Sequence, residues 1–374
     1  MKKRLFIIVN HDWFFLSHRK AVALGAIEAG FDVTLVAKAT TRREEIEALG
    51  IRFIDFKVNP TGKNPVQELQ TLWFLARLFR CERPDIVHNV GLKNMLWGGI
   101  AARWAGVPVS INAVSGLGVM FSAPKLGLTA RLMTAGFRYA MARPQAYAIF
   151  QNEEDKALFS RLGIVRPEQC EHTNGSGVDL EEYAYAPEPE GGRIVVLFTA
   201  RMVREKGLAT LVDAANRLRE EYEMRVEFRL CGGLSENPTA YRREEVEAMC
   251  DGMYIRWMGL RHDIPEMLRQ SHIVAFPSYY REGVPKSLIE ACAVGRPIVT
   301  CDSVGCRDCV EEGENGFLIS PRDSAALADR LRRLFEDAEL RKQMGLASRR
   351  KAERDFDVRD VVEAHLRLYR QIQY

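Results

Sequence analysis

The most restrictive feature of this 374-residue chain is a rhythm that runs twice. Short apolar runs, of the kind that form buried parallel strands, alternate with stretches of helical period. In the first series the runs are RLFIIVN (4–10), FDVTLVA (31–37), PDIVHNV (84–90), PVSINAV (108–114) and AYAIFQN (146–152), with a helix expected over 17–29 and ending at Gly30. The second series holds GGRIVVLFTA (191–200), RVEFRLCGG (225–233), YIRWMGL (254–260), HIVAFPS (272–278) and RPIVTCDS (296–303), and EGENGFLIS (312–320) adds a turn and an edge strand. Amphipathic helices are expected over 207–222 and 285–295. This alternation predicts an α/β protein with doubly wound parallel sheets. The restart predicts two Rossmann-like domains, about 1–182 and 191–374, because one core rarely grows to this length. DLEEYAYAPEPEGG (179–192), with two prolines and two glycines, reads as the linker and hinge. Ligands of such sheets bind at the carboxyl ends of strands, so two facing sheets would form a cleft.

Composition narrows the function classes. The net charge is only +3, but no Asp or Glu occurs between Asp85 and Glu153, where Lys93, Arg103, Lys125, Arg131, Arg138 and Arg143 all lie. Such a surface attracts anions, or else belongs to a buried helix pair with solvated rims. The eight cysteines sit mostly in apolar runs, as small core residues do, and suggest a reducing compartment. Cys306 and Cys309 form one C-x-x-C with no second pair or histidines near enough for zinc. The apolar run after MKKR is too short for a signal peptide, and Trp104–Pro124 is interrupted by Gly, Pro, Ser and Asn. The expectation is a cytoplasmic protein with the option of peripheral contact at the inner face of the plasma membrane. No G-x-G-x-x-G follows a strand, which argues against a dinucleotide dehydrogenase.

Two stretches could carry chemistry. In LFTARMVREKGLATL (197–211), Arg201 and Lys206 follow a strand and precede a helix. Two cations on such a loop suit a diphosphate; a solvated loop is the alternative. In YYREGVPKSLIEACAVG (279–295), Glu282 lies in a loop and Glu290 more than a turn inside the next helix. That spacing offers two acceptors at different depths, one for sugar and one for ribose hydroxyls, around a helix N-terminus with free N–H groups. A surface acid plus a chance second acid explains the spacing equally well.

Arg201-x4-Lys206-Gly207 followed by Glu282-Gly-Val-Pro-x4-Glu290 resembles the signature of the retaining, nucleotide-sugar-dependent glycosyltransferases of family 4. TCDSVGCRDCVEEGENGFLI (300–319) and NGSGVDLEEY (174–183) are similar to that family's loop after the second glutamate and to its domain junction. NHDWFFLSHR (10–19) looks like a subgroup that builds bacterial surface glycans on polyprenyl-diphosphate carriers, as in lipopolysaccharide, capsule or glycoprotein glycans. The resemblance implies the GT-B fold, two Rossmann-like domains facing across a cleft. It implies that Arg201 and Lys206 neutralise the departing diphosphate and that Glu290 holds the ribose. Glu282 would hold the donor sugar, with backbone N–H groups along Gly283, Val284, Pro285 and Lys286. Gly232 and Gly233 would admit the nucleotide, and Leu260, in the turn 259–263, would lie near the base. The donor would be a UDP-sugar carrying a hexose or N-acetylhexosamine, with no metal and no other cofactor.

The chain also departs from the family. The loop after the first strand, 10–18, lacks the glycine pair common in relatives, and 111–122 lacks a histidine found near the sugar in some. Gly116 and Gly118 are candidates for close backbone approach, and Asn10, His11 and His18 for the acceptor side, with His88 a further polar candidate. Asp355-Phe356-Asp357 has the spacing of a metal-binding pair, but Asp357 reads as a helix cap with Phe356 as its staple. The terminal helix, about 357–374, would cross back onto the first domain. The basic, apolar stretches 71–80 and 120–144 could lie on an anionic membrane or pack inside the first domain. The partners expected are a nucleotide sugar and a lipid-linked glycan acceptor, not nucleic acid. The rival readings are a GT-B UDP-sugar 2-epimerase and a non-catalytic nucleotide-sugar-binding protein.

Overall fold

The computed structural model describes residues 2–56, 64–118, 121 and 127–371. The chain divides into two compact units, one formed by Met1–Ser176 with Val358–Tyr374 and the other by Gly177–Asp357.

The first unit runs β1 (Arg4–His11), α1 (Asp12–His18), α2 (Lys20–Glu28), β2 (Asp32–Lys38), α3 (Arg43–Ala48), β3 (Arg52–Asp55) and α4 (Pro65–Glu82). It continues with β4 (Ile86–Val90), α5 (Leu92–Ala105), β5 (Val109–Val114), α6 (Leu128–Met141), β6 (Ala146–Phe150), α7 (Glu153–Arg161) and β7 (Cys170–His172). The second unit runs β8 (Ile194–Thr199), α8 (Leu208–Tyr222), β9 (Val226–Cys231), α9 (Arg243–Glu247), β10 (Ile255–Gly259), α10 (Ile264–Arg269) and β11 (Ile273–Phe276). It ends with α11 (Lys286–Val294), β12 (Ile298–Cys301), β13 (Gly316–Ile319), α12 (Ser324–Glu336) and α13 (Ala338–Asp355), after which α14 (Val358–Arg370) belongs to the first unit.

Every strand pairing is parallel. The orders are β3-β2-β1-β4-β5-β6-β7 and β10-β9-β8-β11-β12-β13. Both are doubly wound sheets, as the alternation predicts. Central strands are apolar on both faces because helices cover both faces: Leu5, Ile7, Ile8 and Val9 of β1 have no exposed surface. In the second unit, chain order reverses between β8 and β11, so a crevice opens where the connections diverge.

Several boundaries differ from the sequence expectation. The single helix expected over 17–29 is two helices broken at Arg19, and the loop expected after β1 is helical from Asp12. Asp12 organises this turn: its carboxylate accepts from the backbone N–H of Trp13 and Thr40 and from the Thr40 hydroxyl, which holds its pKa down despite burial. Strands β3 and β7 had no counterpart in the reading. Segment 179–192 is built into the second unit. Buried Arg296 donates to Ala186 O and Pro187 O, and Arg341 pairs with Glu188 at 2.9 Å.

Helix α14 docks by shape. A Cβ at Gly25 of α2 would lie 2.5 Å from Val362 Cγ1, so only glycine lets the two helices approach this closely. Beneath it, Arg19 is 2 % exposed, and no carboxylate pairs with it among the described residues. His88 Nδ1 lies 2.7 Å from the Tyr369 hydroxyl, and the His88 and His365 rings are 5.2 Å apart. Burial pushes Arg19 down to about 10 and His365 down to about 3, and it holds His88 well below the usual histidine value.

Helices α4 and α6 are divided rather than enclosed. Helix α4 buries Leu72, Leu75, Ala76 and Phe79 but exposes Val66, Leu69 and Trp73; α6 buries Phe137, Ala140 and Met141 but exposes Leu128, Leu132 and Tyr139. Residues 119–120 and 122–126 of the stretches discussed above, Lys125 among them, lie outside the described residues. No described helix is long and apolar enough to cross a membrane.

Candidate active site

The second sheet gathers the motif residues at its carboxyl edge. Arg201 and Lys206 follow β8, Gly232 and Gly233 follow β9, Leu260 follows β10, and Glu282 through Lys286 follow β11. Three close backbone approaches fix these loops. A Cβ at Gly207 (φ +81°) would lie 2.0 Å from Pro277 O, one at Gly232 would lie 1.7 Å from Ala200 O, and one at Gly305 (φ +82°) would lie 1.6 Å from Gly283 O. Side chains would separate all three pairs of segments.

Lys206 and Glu282 meet directly. Lys206 Nζ lies 2.5 Å from Glu282 Oε1, with side-chain exposures of 16 % and 12 %. The Ser278 hydroxyl donates to the same oxygen at 2.9 Å. Lys206 also stands 5.2 Å from the centre of the Phe276 ring and 6.0 Å from that of Tyr280, so aromatic faces support its charge. Two bonds tie the loops together: Tyr279 N–H donates to Glu205 O at 3.0 Å and Ser303 Oγ to Ser278 O at 3.0 Å.

The neighbouring charges divide by role. Arg204 pairs with Glu245 at 2.7 Å and stacks over Tyr241, and the Glu205 carboxylate accepts from Thr239 Oγ1 at 2.6 Å. Both are occupied within the scaffold. Arg201 is exposed and makes no ion pair with a described residue. Its field reaches Tyr280, whose phenol is raised by burial and by Glu282 and pulled back by Arg201.

Glu290 lies at a second depth. It is buried in α11, where it accepts from the Tyr183 hydroxyl at 2.9 Å and lies 3.5 Å from Lys286 Nζ. Burial pushes its pKa above the usual carboxylate value, opposed by Lys286 and Tyr183. Pro285 is the residue before the helix rather than its first turn. Val284 is buried beneath this corner. Farther along the edge, Gly233, Trp257, Gly259 and Leu260 border a pocket of about 670 Å³. Gly232 N–H donates to Gly259 O at 2.8 Å and Trp257 Nε1 to Gly232 O at 2.9 Å, so this wall is rigid.

Four supporting residues were not singled out from the sequence: Tyr183, Ser278, Phe276 and Gly305. Tyr183 lies within the junction stretch 174–183, but nothing there signals a partner 107 residues away.

The acceptor-side candidates belong to the first unit. Asn10 Oδ1 accepts from Asn94 Nδ2 at 2.9 Å, at the end of β1. His11 stacks on Trp13 at 5.5 Å and His18 on Phe14 at 4.2 Å. Gly116 (φ +96°) and Gly118 (φ +59°) follow β5 in conformations that favour glycine. His88 is fully buried in the core. Of the Asp-x-Asp pair, Asp355 Oδ2 takes Lys351 at 3.1 Å and Arg354 at 2.7 Å, and α14 begins directly after Asp357. Among the described residues no group of three or more His, Cys, Asp or Glu gathers as metal ligands would. Cys306 and Cys309 are buried free thiols, and burial pushes Cys306 up to about 12.

The chain is similar to known proteins in both of its halves. Residues 193–337 match the family model described as glycosyl transferases group 1, and residues 4–152 match the one described as glycosyl transferase 4-like. Together the two models span more than half of the chain. One relative is the N,N'-diacetylbacillosaminyl-diphospho-undecaprenol alpha-1,3-N-acetylgalactosaminyltransferase of Campylobacter jejuni, 24 % identical over 91 % of both chains. Another is the UDP-Gal:alpha-D-GlcNAc-diphosphoundecaprenol alpha-1,3-galactosyltransferase of Escherichia coli, 24 % identical over 82 % of this chain and 81 % of that one. The structure of Anabaena HepE in complex with UDP superimposes with a TM-score of 0.77 at 19 % identity, covering 99 % of this chain and 100 % of that one. The chain therefore belongs to the group 1, family 4-like glycosyltransferases: it is a transferase with the GT-B fold.

Proposed function

We propose that the protein transfers a hexose or N-acetylhexosamine from a UDP-sugar, with retention, to a polyprenyl-diphosphate-linked acceptor in surface-glycan synthesis. The observation that carries this reading is the meeting of Lys206 and Glu282 at the point where strand order reverses, with Glu290 behind them. The names of the two relatives support the lipid-linked acceptor, and one of them supports the UDP donor. In this reading the bond between sugar C1 and the phosphate oxygen breaks and leaves charge on the diphosphate. Lys206 and Arg201 stabilise that charge from fixed positions. Glu282 orients the sugar hydroxyls and Glu290 the ribose. The acceptor hydroxyl attacks C1 from the leaving-group side, and its proton passes to the departing phosphate oxygen. No step needs a metal, so EDTA leaves most of the activity; complete loss restored by Mn²⁺ would overturn that.

The exposed apolar stripes of α4 and α6, with arginines beside them, suit the surface of an anionic bilayer. Salt-sensitive flotation with anionic vesicles checks this. The donor is tested by screening nucleotide sugars for thermal stabilisation, followed by transfer assays with polyprenyl-linked acceptors. A hit with UDP-sugars and transfer to a lipid-linked sugar is the expected outcome; stabilisation by no nucleotide sugar would remove the reading.

A further inference from the structure

The Lys206–Glu282 pair has a consequence for the reaction cycle. The diphosphate and the Glu282 carboxylate are both anions, and Glu282 Oε1 already stands 2.5 Å from Lys206 Nζ. A phosphate oxygen arriving at Lys206 therefore meets a like charge at hydrogen-bond range. Arg201 has no such internal partner among the described residues. One of the two cations is thus open while the other is occupied by a carboxylate of the chain. Glu282 also has a second anchor on the same oxygen, the buried Ser278 hydroxyl at 2.9 Å, which in turn donates nowhere better than to this carboxylate or to Glu205 O at 3.2 Å. Lys206 has its own supports in the Phe276 and Tyr280 rings. Each member of the pair is therefore held when the other lets go.

We propose that Glu282 is an internal stand-in for the leaving diphosphate. It occupies Lys206 in the empty site and yields it when a nucleotide sugar gives its carboxylate hydroxyls to hold. After transfer those hydroxyls depart with the sugar, and the carboxylate returns to Lys206 and displaces the nucleoside diphosphate. Ser278 is the positioning residue on which it pivots. The exchange rests on the function proposed above and adds a route for product release to it. Apparent affinity for the product falls to its intrinsic value multiplied by the fraction of time Lys206 is free. A pair closed for about nine-tenths of the time lowers it about tenfold.

The test is a double-mutant cycle in nucleotide binding, measured by calorimetry on the full chain with UDP, and with GDP and ADP alongside as probes. Glu282→Gln is nearly isosteric, and Glu282→Ala serves as a second removal of the charge should the first misfold. Either should bind UDP several-fold to about tenfold more tightly than the unmodified chain. The matching UDP-sugar should gain less, because its hydroxyl contacts are lost. In a Lys206→Met background, Glu282→Gln should produce no tightening. Weaker or unchanged UDP binding in both Glu282 variants overturns the exchange, as does equal tightening without Lys206. Loss of binding in Lys206→Met without tightening in Glu282→Gln leaves the proposed function standing and removes only the exchange. No nucleotide binding by any form overturns both.

Discussion

Lys206 and Arg19 are both withdrawn from water, yet their surroundings are opposite. Lys206 has a carboxylate at 2.5 Å and two aromatic faces at the edge of its sheet. Arg19 lies in the core of the other unit with no carboxylate partner among the described residues, beside two histidines and a tyrosine. The first arrangement is an ion pair that another anion can replace. The second is fixed, because a guanidinium without a counter-ion depends on nearby dipoles and keeps its histidine neighbours neutral. A charge near the surface with an exchangeable partner is suited to chemistry; a charge sealed among neutral groups is suited to holding α14.

The comparison breaks first at Lys206. Lys206→Met should lower turnover by about a hundredfold or more while changing the melting temperature by only a few degrees, read from transfer kinetics and thermal unfolding on the same preparation. A rate within tenfold of the unmodified protein would place Lys206 away from the diphosphate.

The buried cluster should show itself in pH instead. His365 and His88 have folded-state values below the unfolded value of about 6.5, so each takes up its proton only on unfolding. Their stability contribution is complete above about pH 6.5 and is lost as pH falls through the window toward the depressed values. The loss approaches about 1.4 kcal/mol per pH unit for each histidine. Melting curves between pH 7 and pH 5 measure it, and His365→Leu should remove one of the two contributions. The facing groups are Tyr369, Arg19 and the other histidine, none of which supplies an acid to offset the effect.

A smaller effect sharpens the picture at Glu290. Tyr183→Phe removes one hydrogen bond of 2.9 Å and should weaken nucleotide binding about three- to tenfold, with turnover at saturation nearly preserved. A fall in turnover larger than the fall in affinity would put Tyr183 nearer the reacting bond than Glu290.

The same contrast explains what was legible in the sequence. Strands β1, β8 and β11 were readable because burial on both faces leaves uninterrupted apolar runs. RFID of β3 and CEH of β7 were not, because each lies at an edge of its sheet and carries charged or half-exposed residues. The helix break at Arg19 has no proline or glycine to announce it. Arg201, Lys206, Glu282 and Glu290 stood out by spacing and by resemblance. Ser278, Gly305 and Tyr183 did not, since their roles exist only through contacts that folding creates.

The chain leaves its first unit after Ser176 and returns to it at Val358. Val178 N–H donates to Phe356 O at 2.8 Å, so the outgoing and returning segments run side by side. On the ribosome the seven-stranded sheet is therefore finished long before the helix that covers Gly25 and His88 has been made. At about 5–20 residues per second that delay lasts roughly ten to forty seconds. During it the nascent protein exposes an apolar groove and an uncovered guanidinium, the interval in which a chaperone would have most to protect.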